Sequence, residues 1–387
     1  MMDETINIAM LGISGSGKTT FISGLNQSLI EDCLKGGNRV IVSLTGSQDD
    51  PNFRSSSGRS CNLLAPASIM EQYRIERLMS VEKNDGTYTR AAAGTMVMRQ
   101  MVLNFNVGRE SVPIKISDYR GGILSASGEE ADDDEVNALA SEISEANIIY
   151  VLVDGIKLAQ YRDMPYTRKR ETGASRIHAV LTQMAQDPQK GVSVILLVTK
   201  TDSTAIPNDL RKNGCKGLCD LAVETIPFIK YQADVMTENY DWQFSVVPVT
   251  AVGEGNTITT LGVADDEYVS AITKDANIQQ KNMDSALIYG IKHVLAYHRD
   301  ETIKMIRKMD NVIRIRTERK KISGITGHIK NWFSSGRMDS EDEARLNDAM
   351  ETKGELEYER DVYSKMIVDL IEGFYPKFSE IRPIGAD

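Results

Sequence analysis

Cysteine and histidine are scarce in this chain, four of each among 387 residues, and that scarcity excludes whole classes of protein. A disulfide framework or a zinc ribbon has too little to build on. Cys215 and Cys219 have the spacing of one helix face, but no histidine or further cysteine stands near them to complete a metal site. Long apolar runs are missing too: the longest, 148–153 and 192–198, fall far short of the ~18 residues a membrane span needs. Asp3 and Glu4 stand where a secretory signal would carry basic residues, and residues 384–387 hold no cysteine for a lipid. Positive charge is in deficit, with 45 Lys and Arg against 55 Asp and Glu for a net charge of −10. A nucleic-acid coat over the whole protein is not expected, nor is a DNA partner, while a local basic patch, such as a basic helix against RNA, stays open. What remains, at 41% hydrophobic and 26% charged residues, has the balance of a globular chain. The expectation is an acidic, soluble, cytoplasmic protein without a transmembrane segment, long enough for two to three domains.

The first third carries the chemistry. Residues 6–11, INIAML, have strand character and run into Gly12-Ile13-Ser14-Gly15-Ser16-Gly17-Lys18-Thr19. This matches G-x-x-x-x-G-K-[ST] at every fixed position, and Phe21, Leu25 and Leu29 follow at helical spacing. Strand before and helix after is the context a phosphate-binding loop requires. Its glycines let the backbone N–H groups of Gly12, Ser14, Gly15, Ser16 and Gly17 close around phosphate oxygens. The helix N-terminus, with Thr20 in its first turn, adds partial positive charge. Lys18 has the reach for the β- and γ-phosphates, and the Thr19 hydroxyl is a magnesium ligand.

Residues 95–107 alternate partially, a four-residue turn follows, and 112–117 form a second strand. So short a loop forces an antiparallel pair. The second strand ends in Asp118-Tyr119-Arg120-Gly121, a D-x-x-G. The acid is placed to hold Mg²⁺ through a water, and Gly121 offers an unobstructed N–H to a γ-phosphate. Alone this motif is common by chance; behind a phosphate loop and a hairpin it gains weight. Residues 192–198 read as a buried parallel strand and end in Thr199-Lys200-Thr201-Asp202. A fixed carboxylate accepts from both N1–H and the N2 amine of guanine, whereas adenine would leave it unpaired. The Lys200 stem covers a ring face, and after a strand at 244–249 the backbone at Thr250-Ala251 meets the guanine carbonyl.

GISGSGKT, DYRG, TKTD and the weaker TA, in that order, resemble the TRAFAC-class P-loop GTPases, the group of Ras-like and translation-factor G domains, over residues 5–255. The resemblance implies GTP/GDP and Mg²⁺ as cofactors and a first-switch threonine that reaches the metal. Thr95, 23 residues before Asp118, is the candidate, with Thr87 and Thr89 as alternatives. More narrowly, GSGKTTF, DYRGG and the long first-switch region look like GTPases of bacterial conflict and anti-phage gene clusters. The chain departs from the class at Gly122, where many members carry a water-orienting glutamine, so hydrolysis should be slow without a partner. Arg120 is the first candidate for charge stabilisation in cis. Arg162, Arg168, Lys169 and Arg170 come second, although a solvated surface cluster is the ordinary reading of such residues. Residues 47–90 read as polar loop followed by a helical segment at 69–81, and the acidic run 129–135 reads as a solvated face or a partner contact.

From about residue 276 the pattern turns helical. Leu287, Ile291, Leu295, Ile303, Ile306 and Ile313 keep helical phase beside a run of cations from Lys304 to Lys321. A glycine-broken stretch containing Trp332 and Phe333 follows, then an acidic helix over 340–370. The plain reading is an antiparallel hairpin of complementary charge. The sharper one docks the Trp332–Phe333 tip on a partner or, less favoured, on a membrane surface.

The expected fold is therefore α/β: a mostly parallel P-loop NTPase sheet with one antiparallel edge strand over residues 1–275, then a helical region over 276–387. The expected activity is slow Mg²⁺-dependent GTP hydrolysis as a molecular switch, with a protein effector meeting the switch regions and C-terminal helices. The alternatives are a GTP-loaded scaffold with negligible turnover and, if TKTD is accidental, an ATP-hydrolysing protein.

Overall fold

The computed structural model describes residues 5–18, 20–22, 24–25, 28, 40–44, 62–63, 99–107, 110–118, 133–261, 268–272, 279–330, 340–374 and 380–384. At its centre β1 (Ile6–Leu11) pairs in parallel with β5 (Glu110–Asp118) on one side and β6 (Ile148–Asp154) on the other. β7 (Ser193–Thr199) and β8 (Gln243–Pro248) continue the parallel order outward from β6. The expected hairpin forms: β4 (Arg99–Val107) runs antiparallel to β5, with Val107 opposite Glu110. The mostly parallel α/β sheet is thus the one the sequence points to, and it is wider. β2 (Val40–Leu44) adds antiparallel to β4, β3 (Asn62–Leu63) pairs with β4, and β11 (Arg382–Ile384) lies antiparallel on β8. β9 (Thr257–Leu261) and β10 (Tyr268–Ile272) form a separate antiparallel pair.

Every residue of β6 and β7 is buried, as strands covered on both faces must be. One face packs Val151, Val153, Leu196 and Val198 against the helices Ala174–Met184, Asn208–Thr225 and Pro227–Tyr240. Phe228, Trp242 and Phe244 fill its far corner, with ring centroids 6.0–6.4 Å apart. On the other face Phe21 meets Tyr150 edge-on at 5.3 Å. The first turns of the Met283–Lys330 helix press beside it. There the close approach demands glycine, since a Cβ at Gly290 would stand 2.9 Å from Ile148 Cδ1. Each large aliphatic side chain so buried stabilises the fold by roughly 1.5–3 kcal/mol.

The Asn208–Thr225 helix is broken at 212–215, where Asn213, Gly214 and Cys215 have φ of 52°, 65° and 59°. The break takes Cys215 out of the regular helix, so the two cysteines do not share a helix face as their spacing predicts. Cys219 is fully buried, and that burial pushes its thiol up to about 11 although Arg382 hydrogen-bonds to it.

The chain divides into two compact units, residues 1–294 with 369–387, and residues 295–368. The second unit is an antiparallel helical hairpin. His298 stacks on Tyr363 at 5.9 Å, Asp310 pairs with Lys353 at 2.7 Å, and Arg316 donates to the Arg345 carbonyl at 2.5 Å. The Asp310–Lys353 pair runs against the gross charge pattern, joining an acid of the basic helix to a lysine of the acidic one. Trp332 and Phe333 lie outside the described residues. Among the described residues, no helix is long and apolar enough to cross a membrane.

Candidate functional site

The parallel strands end at a common edge. In the sheet register Leu11 is beside Val151, Ala9 beside Ser117, Asp154 beside Thr199, and Val198 beside Pro248. The residues that follow β1, β6, β7 and β8, and Asp118 at the end of β5, therefore collect on one side of the sheet, where open α/β folds bind ligands.

After β1 the chain turns tightly. Ser16 N donates to the Ile13 carbonyl at 3.2 Å, and Gly15 and Gly17 take φ of 78° and 94°. Such left-handed angles disfavour any residue with a Cβ. Gly12 is required for space, because a Cβ there would lie 2.5 Å from Ser16 Oγ and 3.0 Å from the Leu152 carbonyl. Lys18 is buried, with its ammonium donating to the carbonyls of Gly12 at 2.6 Å and Ile13 at 3.1 Å. Ser16 Oγ is buried without a hydrogen-bond partner, an orphaned polar atom that a phosphate oxygen would satisfy. Phe21 N reaches back to the Gly17 carbonyl at 2.8 Å, the first helical turn after the loop.

The TKTD segment is locked onto this loop and onto the next one. Thr199 Oγ1 donates to the Ser16 carbonyl at 2.8 Å, across 183 residues of sequence. Thr201 Oγ1 meets Thr250 Oγ1 at 2.8 Å and the Val249 carbonyl at 3.1 Å. Lys200 has φ of 57°, a left-handed conformation that costs roughly 1–2 kcal/mol. That turn brings its ammonium into a close ion pair with Asp154. Asp154 in turn accepts from Ile156 N at 2.9 Å and Lys157 N at 3.3 Å, capping the helix Gly155–Gln160. Asp202 is buried and accepts from Gly253 N at 3.0 Å. Burial pushes its carboxyl up to about 6, against the opposing pull of its backbone hydrogen bonds. A ligand that brought further donors to it would favour its charged form.

Gly12, Ser14, Gly15, Ser16, Gly17, Lys18 and Thr20 thus lie in one loop and helix start, joined through Thr199 to Lys200, Asp202, Thr250 and Ala251. Asp118 is described by its backbone, at the end of β5. Thr19, Thr95, Arg120 and Gly121 lie outside the described residues, as do Thr87, Thr89, Gly122, the 69–81 segment and residues 129–132. The oxygen-only donor set of Thr19, Thr95 and Asp118 is of the kind Mg²⁺ takes.

Sequence reasoning did not find Asp154, the partner of Lys200. Its signal was a lone acid closing the apolar run 148–153. Nor did it find Lys281, which exchanges backbone hydrogen bonds with Thr250 at 3.1 and 2.9 Å. Arg168, a second-choice arginine donor, is neither solvated nor free. It is buried, with Nε on Thr225 Oγ1 at 2.8 Å and Nη1 on the Arg162 carbonyl. Desolvation lowers its pKa, against the pull of Glu224 and Asp163. It ties the Pro165–Glu171 helix to the Asn208–Thr225 helix. Arg162 pairs with Asp209 at 3.1 Å, and Arg170 with Glu171 at 2.9 Å.

No family model and no curated protein matches this sequence. Among solved structures, the signal recognition particle receptor SRb-GTP/SRX complex from Chaetomium thermophilum is similar at 13% identity. That match covers 65% of this chain and 93% of that one, with a TM-score of 0.35. The S. cerevisiae Ski7 GTPase-like domain bound to GTP is similar at 16% identity, covering 64% of this chain and 43% of that one, TM-score 0.32. The same domain bound to GDP and inorganic phosphate gives 14%, 64%, 43% and 0.34. This chain thus spans less than half of the Ski7 chains. Similarity at these TM-scores carries no functional argument, and the narrower resemblance to bacterial conflict-system GTPases finds no support in it.

Proposed function

We propose that this chain binds GTP with Mg²⁺ and hydrolyses it slowly to GDP and phosphate, as a nucleotide-controlled molecular switch. One observation supports the reading: the Thr199 Oγ1 hydrogen bond to the Ser16 carbonyl, which ties the GISGSGKT loop to the TKTD segment. Gly12, Ser14, Gly15, Ser16 and Gly17 hold phosphate through backbone N–H groups, and Lys18 exchanges its loop carbonyls for phosphate oxygens. Lys200, its ammonium fixed by Asp154, lays its stem along one face of the base. Asp202 accepts from N1–H and the N2 amine, and the Thr250-Ala251 backbone meets the carbonyl. Thr19, Thr95 and Asp118 hold Mg²⁺, which neutralises charge on the phosphates when bound. Gly121 senses the γ-phosphate and Arg120 stabilises the transferred charge. The nucleotide motifs lie within residues 1–275, and the switch regions with the C-terminal helices meet a protein effector.

Binding and hydrolysis of GTP, with ATP as competitor, test this on wild type and Asp202→Asn. GTP binding that ATP does not displace, weakened in the variant, is the expected result; equal competition by ATP would leave only the phosphate loop standing. A second reading, a GTP-loaded scaffold, is favoured by Gly122, which has no side chain to orient water. Single-turnover assays with γ-labelled GTP separate the two: no phosphate release over hours identifies the scaffold.

A further inference from the structure

The loop that would meet the base is held from a segment of the chain with no motif. Thr250 is bridged to Lys281 by both backbone hydrogen bonds, and Gln279 N donates to the Val252 carbonyl at 3.0 Å. Asn282, next in line, has φ of 62°. A left-handed non-glycine residue persists where its surroundings over-determine it. Its Nδ2 donates to the Pro248 carbonyl at 2.8 Å, at the end of β8, and to Glu380 Oε2 at 2.7 Å. The other oxygen, Glu380 Oε1, pairs with Lys281 Nζ at 2.7 Å.

One carboxylate therefore grips two consecutive residues, one bridged to the loop and the other bonded to the strand that leads into it. The Lys281 side chain is 57% exposed, so the ion pair by itself contributes little. The geometry is what counts: Glu380 fixes the rotamer of Asn282 and the path of Lys281, and these fix where the 250–253 backbone stands. Burial opposes the charge on Glu380, and the bonds from Lys281 and Asn282 outweigh it, so its carboxyl stays below the usual range.

We propose that Glu380 is a positioning residue for base selection, acting through Lys281 and Asn282 on the Thr250–Gly253 loop. This rests on the guanine-nucleotide reading of the site. Lys281 and Asn282 precede residues 295–368 in the chain and Glu380 follows them, so the clamp joins two sequence-distant segments of the sheet unit.

The test measures affinities for GTP and ATP with Mg²⁺ on wild type, Glu380→Ala, Glu380→Gln and Arg382→Ala. In Glu380→Ala, GTP affinity should fall roughly ten-fold, as for loss of charge-assisted hydrogen bonds. ATP held by its phosphates alone should bind as before, so the GTP/ATP ratio falls. Glu380→Gln keeps an acceptor for Asn282 but loses the charge facing Lys281, and should fall in between. Should Glu380→Ala fail to fold, the Gln variant still reads the ratio. Arg382→Ala breaks the neighbouring 2.9 Å tie to Asp220 and should leave the ratio unchanged. Amide exchange at 250–253 should quicken in Glu380→Ala without a matching change across β6 and β7. A ratio unchanged in both Glu380 variants, or GTP and ATP weakened together, overturns the proposal. A wild type that does not prefer GTP overturns the guanine reading, and the proposal with it.

Discussion

The sheet unit and the helical hairpin are held together by opposite strategies. In the sheet unit single side chains join points far apart in sequence: Thr199 to Ser16, Lys200 to Asp154, Asp202 to Gly253, Glu380 to Asn282. Beneath them β6 and β7 are buried along their whole length, so the edge that carries these locks rests on a rigid frame. The hairpin instead depends on periodicity. Thr302 and Ile306 on one helix, and Leu346 with Ala349 and Tyr363 with Ile367 on the other, fall in pairs three or four residues apart and are buried, whereas Met305, Ile315, Met350 and Tyr358 are exposed. The lesson is that a site is built where few contacts are specific and each one matters, while an arm spreads its stability over a repeated seam.

That contrast is most easily broken at the phosphate loop. Gly12→Val would drive a side chain into Ser16 Oγ and the Leu152 carbonyl, and nucleotide binding should fall more than about 100-fold, a cost of roughly 3 kcal/mol or more. Retained binding by calorimetry would show that the loop is not the site. Next is Asp202→Asn, which should weaken GTP by about 2–3 kcal/mol. The same change should raise the melting temperature of the nucleotide-free protein at pH 7.5. The folded carboxyl titrates at about 6 against an ordinary 3.8. The folded state therefore binds the extra proton in that window, and the contribution of Asp202 to stability is lost as pH rises through it. Wild type and variant should converge in stability near pH 4, and lines that stay parallel with pH would contradict the burial argument. In wild type, GTP affinity should fall as pH drops below about 6, because the protonated carboxyl no longer accepts two donors; Asp202→Asn should lack that limb.

In the hairpin, Leu346→Ala should cost its unit about 2–3 kcal/mol in denaturant melts while leaving GTP affinity within about two-fold, since it shares no partner with the nucleotide motifs. A matching loss of GTP binding would erase the distinction between the two regions. The smallest effect should come from Lys353→Met, which removes the cross-helix pair with Asp310. Exposed pairs contribute little, and a large drop in melting temperature would mean that this pair sets the helical register.

Much of the sheet was legible because it is written in runs. The strands 6–11, 148–153, 192–198 and 244–249 stand out as apolar segments, and the loops after them carry recognisable chemistry. The antiparallel hairpin was legible from the length of its turn. β11 was not, since three residues, Arg382, Pro383 and Ile384, make no pattern; proline there is tolerated because the strand lies at the sheet edge. The break at 212–215 was missed although Asn213-Gly214, a turn dipeptide, marks it. Arg168 was misread because nothing in the run of cations distinguishes the one that turns inward to Thr225. Asp154, Lys281 and Glu380 belong to the same class: their roles exist only once distant strands have met, and no local spacing encodes them.

The position of Glu380 also sets an order of events during synthesis. The phosphate loop, TKTD and the 250–253 turn all leave the ribosome before the hairpin, and the carboxylate that clamps the turn follows roughly 130 residues later, about ten seconds at common elongation rates. On the proposed reading, a nascent chain carries its phosphate loop through that interval without the brace on the 250–253 turn, so preference for one nucleotide would ripen after the capacity to hold any.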